Sequence, residues 1–170
     1  MKIILAIAVA ILLTACQTTP EGPLMATAQL KPTKGSKTFG EATFEQVGDK
    51  VKAVVFVQGL KPGQEHGLHI HEGADCSGDA MGAKGHFNPH GKPHGKYDSA
   101  NHHAGDLPSL KANKAGRGNV QVELDGISLR PGAASIIGRG VVVHAGPDDY
   151  KTQPHGNAGA RIACGVIQPY

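Results

Sequence analysis

The chain has 170 residues, 39% of them hydrophobic and 18% charged, with a formal net charge of +3 and no tryptophan. That length fits one domain, and with aromatics at only 4% the core must be built from Val, Ile, Leu and Ala. Lys and Arg are scattered without a stripe of interleaved aromatics, which speaks against nucleic-acid binding, and 24 Gly with 11 Pro point to many turns, short strands and long shaped loops.

The N-terminus reads as an export signal. Lys2 precedes an unbroken apolar run, Ile3 to Leu13, too short to span a bilayer. It ends in Leu13-Thr14-Ala15-Cys16, which resembles a bacterial lipobox, whose cysteine becomes the lipidated first residue of the mature chain. A plain signal peptide with an incidental cysteine is the alternative. Gln17 follows rather than Asp, which in such lipoproteins suggests the outer membrane. The expected organisation is a signal peptide over 1–15, a lipidated polar tether over 16–23 and one domain over 24–170, facing the periplasm. The membrane is touched only through the lipid. With Cys16 lipidated, Cys76 and Cys164 remain as a pair. A disulfide is the default for an exported protein, with free or metal-binding thiols as the alternative.

Strand signals begin at Met25–Leu30 and continue over Thr38–Gln46. Val51–Gln58 is the strongest, being rich in β-branched residues. Next comes Gly67-Leu68-His69-Ile70-His71-Glu72, where the period of two puts His69 and His71 on one face. From Gly73 to Gly105 all periodicity fails, although His86, His90, His94, His102 and His103 fall there. Such a long irregular segment inside a domain is expected to be functional, and metal ions could organise it in place of an apolar core. Strand signals return at Leu107–Ala112, Asn119–Leu124, Ile127–Leu129, Ile136–Ile137 and Gly140–His144. After a second irregular segment, Ala145–Gly159, the last strand is Ala160–Ile167. The expected class is all-β, a Greek-key barrel or sandwich of about eight short strands with two long functional loops.

Three histidines with one aspartate make a sound closed zinc set; three or four histidines in tetragonal array suit copper(II). The residues alone leave open a copper and a zinc site, or one zinc site with surplus surface histidines. A zinc hydrolase using Glu72 as base would need an open zinc position.

Five motifs carry a resemblance to a known family. They are Gly67-Leu-His69-Ile-His71-Glu72, Gly85-His86-Phe-Asn-Pro89, His103-Ala-Gly-Asp106-Leu-Pro108, Val142-Val-His144-Ala-Gly-Pro-Asp148-Asp149 and Gly156-Asn-Ala-Gly-Ala-Arg161-Ile-Ala-Cys164-Gly-Val166. In this order and spacing the chain resembles a bacterial copper–zinc superoxide dismutase from about Met25 to Ile167. The resemblance implies an immunoglobulin-like eight-stranded β-sandwich or barrel, and dismutation of superoxide to oxygen and hydrogen peroxide in the cell envelope. It implies one copper per subunit on His69, His71, His86 and His144, and one zinc on His86, His94, His103 and Asp106. His86 then bridges the metals as a deprotonated imidazole and handles a proton in turnover. Asp148 would hydrogen-bond one ligand of each metal, Cys76 and Cys164 would form a disulfide, and Arg161 would be the active-site cation for the superoxide anion. A non-catalytic copper and zinc store on the same scaffold is the reading from another class; substituting Arg161 separates the two.

His90, His102 and His155 match no ligand position and are expected to be solvated loop residues. His66 is expected to make a structural hydrogen bond. Lys84 and Lys151 are weak candidates for steering the substrate. A homodimer is compatible with the resemblance, but no legible hydrophobic patch decides the oligomeric state.

Overall fold

The computed structural model describes residues 22–170. The expected signal peptide, Cys16 and the tether up to residue 21 lie outside the described residues.

The main sheet rests on alternation. Strands β1 (Met25–Pro32), β2 (Phe39–Val47) and β3 (Lys50–Gln58) form an antiparallel meander. In β3, Val51, Ala53, Val55 and Val57 all point into the core at 0% exposure, while Lys52, Val54 and Phe56 face outward. Facing them across the register, Ala42 and Phe44 of β2 complete this part of the core. Each such valine contributes roughly 1.5–3 kcal/mol of transfer free energy.

The site is carried by the other half of the sheet. β4 (Glu65–His66) is separated only by Gly67 from β5 (Leu68–His71); β6 (Leu110–Lys111) and β7 (Gly118–Leu124) follow, then β8 (Gly140–His144), β9 (Arg161–Val166) and β10 (Gln168–Pro169). The order is β5-β8-β9-β1-β2-β3-β7, with β10 also on β1 and β4 paired separately with β6. The connections from β3 to β5 and from β7 to β8 therefore cross from one end of this order to the other, as in a Greek key. The β4–β6 pair fills the gap between β5 and β7, so the sheet is curled.

β5 and β8 are buried on both faces. Leu68, Ile70, Val141 and Val143 join the main core. On the opposite face Val142 packs with Ala80, Ala83 and Cys164 in a second small cluster. This cluster seats the long loop on the sheet, and the Cys76–Cys164 disulfide locks it there, with Cα atoms 5.7 Å apart.

Three strand expectations need correction. Leu107–Ala112 pairs only at Leu110–Lys111. Ile127–Leu129 and Ile136–Ile137 are not strands, and an isolated bridge between Ser128 and Ser135 is all that regularises this stretch. Their apolar side chains plug the core from a loop, with Ile127, Leu129 and Ile136 buried. A short helical stretch at Ser77–Ala80 was not expected, but Gly78 and Asp79 inside it have left-handed φ, so it is turn-like.

Candidate metal centre

Two strands and two loops bring the histidines together. β5 supplies His69 and His71 from its outer face, and His144 ends the neighbouring β8. His86 comes from the long loop, which is pinned by its backbone to the free edge of β5. Glu72 N donates to Gly85 O at 2.9 Å, Phe87 N to Ile70 O at 2.8 Å, and Ile70 N to Gly105 O at 2.8 Å. The segment that lacks sequence periodicity is thus partly strand-paired to residues far from it in the chain.

The result is two buried groups of four donors, His69, His71, His86 and His144, then His86, His94, His103 and Asp106. His86 belongs to both. In the first group every ring has one nitrogen with a partner, and for His86 that partner is Asp106 of the second group. His69 Nε2 donates to Asp148 Oδ2 at 2.7 Å, His71 Nδ1 to the Lys84 carbonyl at 2.8 Å, and His144 Nδ1 to the Gly159 carbonyl at 3.1 Å. These bonds set the tautomers and leave the other nitrogen as a lone pair. Those lone pairs are the atoms without a partner. Among the described residues the buried side-chain atoms lacking a hydrogen bond are His69 Nδ1, His71 Nε2, His86 Nε2, His144 Nε2 and His66 Nε2. Four of the five face one another, an arrangement too costly to leave without a ligand. A soft-to-borderline cation taking imidazole nitrogens fits it.

The second group uses Nδ1 atoms. Asp106 Oδ1 lies 2.9 Å from His86 Nδ1, 3.1 Å from His94 Nδ1 and 3.5 Å from His103 Nδ1. A tetrahedron with zinc–nitrogen bonds of 2.0–2.1 Å has edges of about 3.3 Å, so the spacing suits zinc. Four donors also close such a site, which removes the open position a zinc hydrolase needs. Asp106 Oδ2 is held by the backbone N–H groups of His103 at 2.9 Å and Gly95 at 3.1 Å.

Asp148 links the two groups. Its Oδ2 accepts from His69 and its Oδ1 from His94 Nε2 at 2.9 Å, with Tyr150 N also donating to Oδ1 at 2.7 Å. Gly156, at φ +64°, is required beside it, because a Cβ there would overlap Asp148 Oδ1.

Charge follows the same division. Burial, with neighbouring His86 adding to it, lowers His69 to about 3, and burial lowers His144 to about 4. Burial likewise holds His71 well below the ordinary histidine value. Burial works against charge on His94 too, but its hydrogen bonds to Asp106 and Asp148 outweigh that and raise it to about 9. Burial opposes ionisation of Asp106 and Asp148, yet hydrogen bonds from His103, His86 and His94 to the first, and from His69 and His94 to the second, hold both well below the usual carboxylate range.

Arg161 opens β9 beside the first group. Its Nη1 donates to the Ala80 carbonyl and its Nη2 to the Lys84 carbonyl at 2.6 Å. The Lys84 carbonyl therefore fixes Arg161 and His71 together.

A family model of the copper/zinc superoxide dismutases matches residues 38–167. The chain belongs to the copper/zinc superoxide dismutase family. Superoxide dismutase [Cu-Zn] 2 of Aquifex aeolicus is 41% identical over 150 residues, covering 85% of this chain and 87% of that one. Superoxide dismutase [Cu-Zn] of Deinococcus radiodurans is 38% identical over 146 residues, covering 78% of each. Among solved structures, the crystal structure of the clock protein EA4 superposes with a TM-score of 0.79 at 39% identity, over 87% of this chain and 96% of that one. As a copper/zinc superoxide dismutase the protein is an oxidoreductase that takes copper and zinc, and the two donor groups provide for both.

Of the remaining histidines, His90 is exposed and contacts the Gly126 carbonyl at 3.2 Å, and His102 contacts the His103 carbonyl at 2.6 Å. His66 donates from Nδ1 to the His144 carbonyl at 2.9 Å, the structural bond expected of it. His155 is exposed, as expected, but it is no bystander, because its ring lies 5.1 Å from that of His86. The Lys84 and Gly159 carbonyls were not foreseen as ring anchors. Backbone acceptors leave no residue-type signal, though the glycines around 156–159 mark where backbone approaches the site.

Proposed function

We propose that copper is held by His69, His71, His86 and His144, and zinc by His86, His94, His103 and Asp106, with superoxide dismutated beside Arg161. The observation that carries this is His86, whose Nε2 belongs to the first group of orphaned nitrogens while its Nδ1 faces Asp106. Copper, when bound, supplies the one-electron oxidation and reduction that zinc lacks. Arg161 binds and orients the superoxide anion with a guanidinium that stays charged at working pH. Its two carbonyl anchors keep that charge at a fixed distance from His71, so an anion is guided to one place. With both metals bound, His86 Nε2 would hold one proton while copper is reduced and release it to the peroxide product, whose second proton would come from solvent. Asp148 holds the Nε2–H tautomers of His69 and His94, and the electrons and protons are handled without rearrangement of the rings it touches.

Arg161→Ala is expected to keep the metal content and to lower kcat/KM for superoxide by at least about tenfold, the order of one charge-assisted hydrogen bond. Unchanged turnover would remove Arg161 from the mechanism.

The enzyme works in the cell envelope, held to the periplasmic face of the outer membrane by lipid on Cys16 and spaced from it by residues 17–23. The support is in the sequence, namely the Ile3–Leu13 apolar run ending at Leu13-Thr14-Ala15-Cys16, with Gln17 next. Mass spectrometry of the mature protein is expected to find Cys16 lipid-modified and N-terminal; an unmodified terminus at another residue would refute the anchor.

A further inference from the structure

His86 differs from its neighbours in how its ring is held. His69, His71 and His144 each spend one nitrogen on a protein anchor. His86 has its two nitrogens directed into the two donor groups, and its one hydrogen-bond partner, Asp106 Oδ1 at 2.9 Å from Nδ1, is itself a member of the second group. With both nitrogens given to metals the ring keeps no N–H for an anchor outside the groups, so packing has to add to its orientation. One face lies on the His69 ring, with centroids 3.9 Å apart and planes at 26°. Among the described residues, the ring contact of His86 that comes from outside both donor groups is His155, at 5.1 Å between centroids with the planes at 80°.

His155 is well placed for this. It is exposed whereas His86 is 4% exposed, so its ring covers His86 from the solvent side. Its ring packs directly over Gly85, where a Cβ would come into ordinary contact with His155 Nε2 at 3.4 Å. The backbone that presents it is tied down next door. Gly156 N donates to Thr152 O at 2.7 Å, Asp149 N donates to Gly156 O at 2.8 Å, and Asp148 is the carboxylate that joins the two groups.

We propose that His155 is a positioning residue for the shared histidine, its ring edge clamping the plane of His86 so that Nε2 and Nδ1 each face their own metal. It touches neither metal and acts through His86. Edge-to-face aromatic contacts are individually modest, so its removal shifts the population of correctly oriented rings between about two- and tenfold. The proposal rests on the assignment of both metals to His86.

The test uses the full chain loaded with copper(II) and with cobalt(II) in place of zinc. Two paramagnetic ions joined through one imidazole couple magnetically, which suppresses the copper EPR signal. In the wild type the copper signal is expected to be almost wholly suppressed. In His155→Ala the uncoupled copper signal is expected to rise between about two- and tenfold, with broadened lines, and His155→Phe, which keeps a ring and cannot ligate, is expected to restore suppression. An His155→Ala spectrum identical to wild type, or a Phe variant as uncoupled as the Ala one, would overturn the clamp while leaving the shared histidine intact. An uncoupled wild type would overturn the shared histidine and the clamp together.

Discussion

His94 is a residue in conflict with its task. It sits between Asp106 and Asp148, and without metal their hydrogen bonds, working against burial, raise it to about 9. In the proposed zinc site its Nδ1 must offer a lone pair, so zinc uptake below that pH must displace a proton. The histidines proposed for copper face no such competition, since burial lowers His69 to about 3 and His144 to about 4. The sign follows directly. For each metal added alone to the metal-free protein, apparent zinc affinity is expected to rise by about tenfold per pH unit from pH 6 and to flatten near pH 9, whereas copper affinity stays nearly flat over that window. Competitive metal titrations at several pH values measure both slopes, and equal slopes would contradict the protonated His94. Residues like this explain why the carboxylates are buried. Each offsets the cost of its own desolvation by collecting several donors.

At the scale of elements, the long loop is the part that must be held. Its own apolar contribution is small, a cluster of Ala80, Ala83, Val142 and Cys164. The Cys76–Cys164 bridge closes a separation of 88 residues, for which chain entropy gives roughly 4–5 kcal/mol as an upper figure. Replacing both cysteines by serine is expected to lower the urea midpoint by an amount equivalent to about 2–5 kcal/mol, and an unshifted midpoint would assign the loop's anchoring to other contacts. The regular strands were legible because alternation and β-branching are local; β3 with Val51, Ala53, Val55 and Val57 is the plainest case. His69-Ile-His71 was legible as a shared face for the same reason. The pairing of residues 85–87 and 105 with β5 was not, because it joins segments distant in sequence and imposes no period on either. Ile127 and Ile136 misled in the opposite direction, as apolar residues that read as strand but serve as loop plugs. His155 reads as a solvated loop residue because its contact with His86 spans 69 positions, and its motif neighbours Gly156 and Arg161 explain the stretch without it.

Across the whole molecule, the curled sheet acts as a rigid mount and the metal centre as the joint between it and its loops. β5 and β8 bring three histidines whose spare nitrogens are aimed and fixed before any ligand arrives, which is preorganisation in the ordinary sense. The loop residues His86, His94, His103 and Asp106 close the second group, and Asp148 returns from the far loop to connect both. Ligands that bind only the folded state add stability by mass action, so the two metals hold together segments that the apolar core leaves at its edge. All of this depends on one shared ring. The direct measurement is metal stoichiometry and copper EPR on the full chain before and after His86→Ala. If His86 is shared, the substitution lowers zinc retention and alters the copper spectrum in the same protein. A change at one metal with the other left at wild-type affinity and lineshape would contradict the shared site.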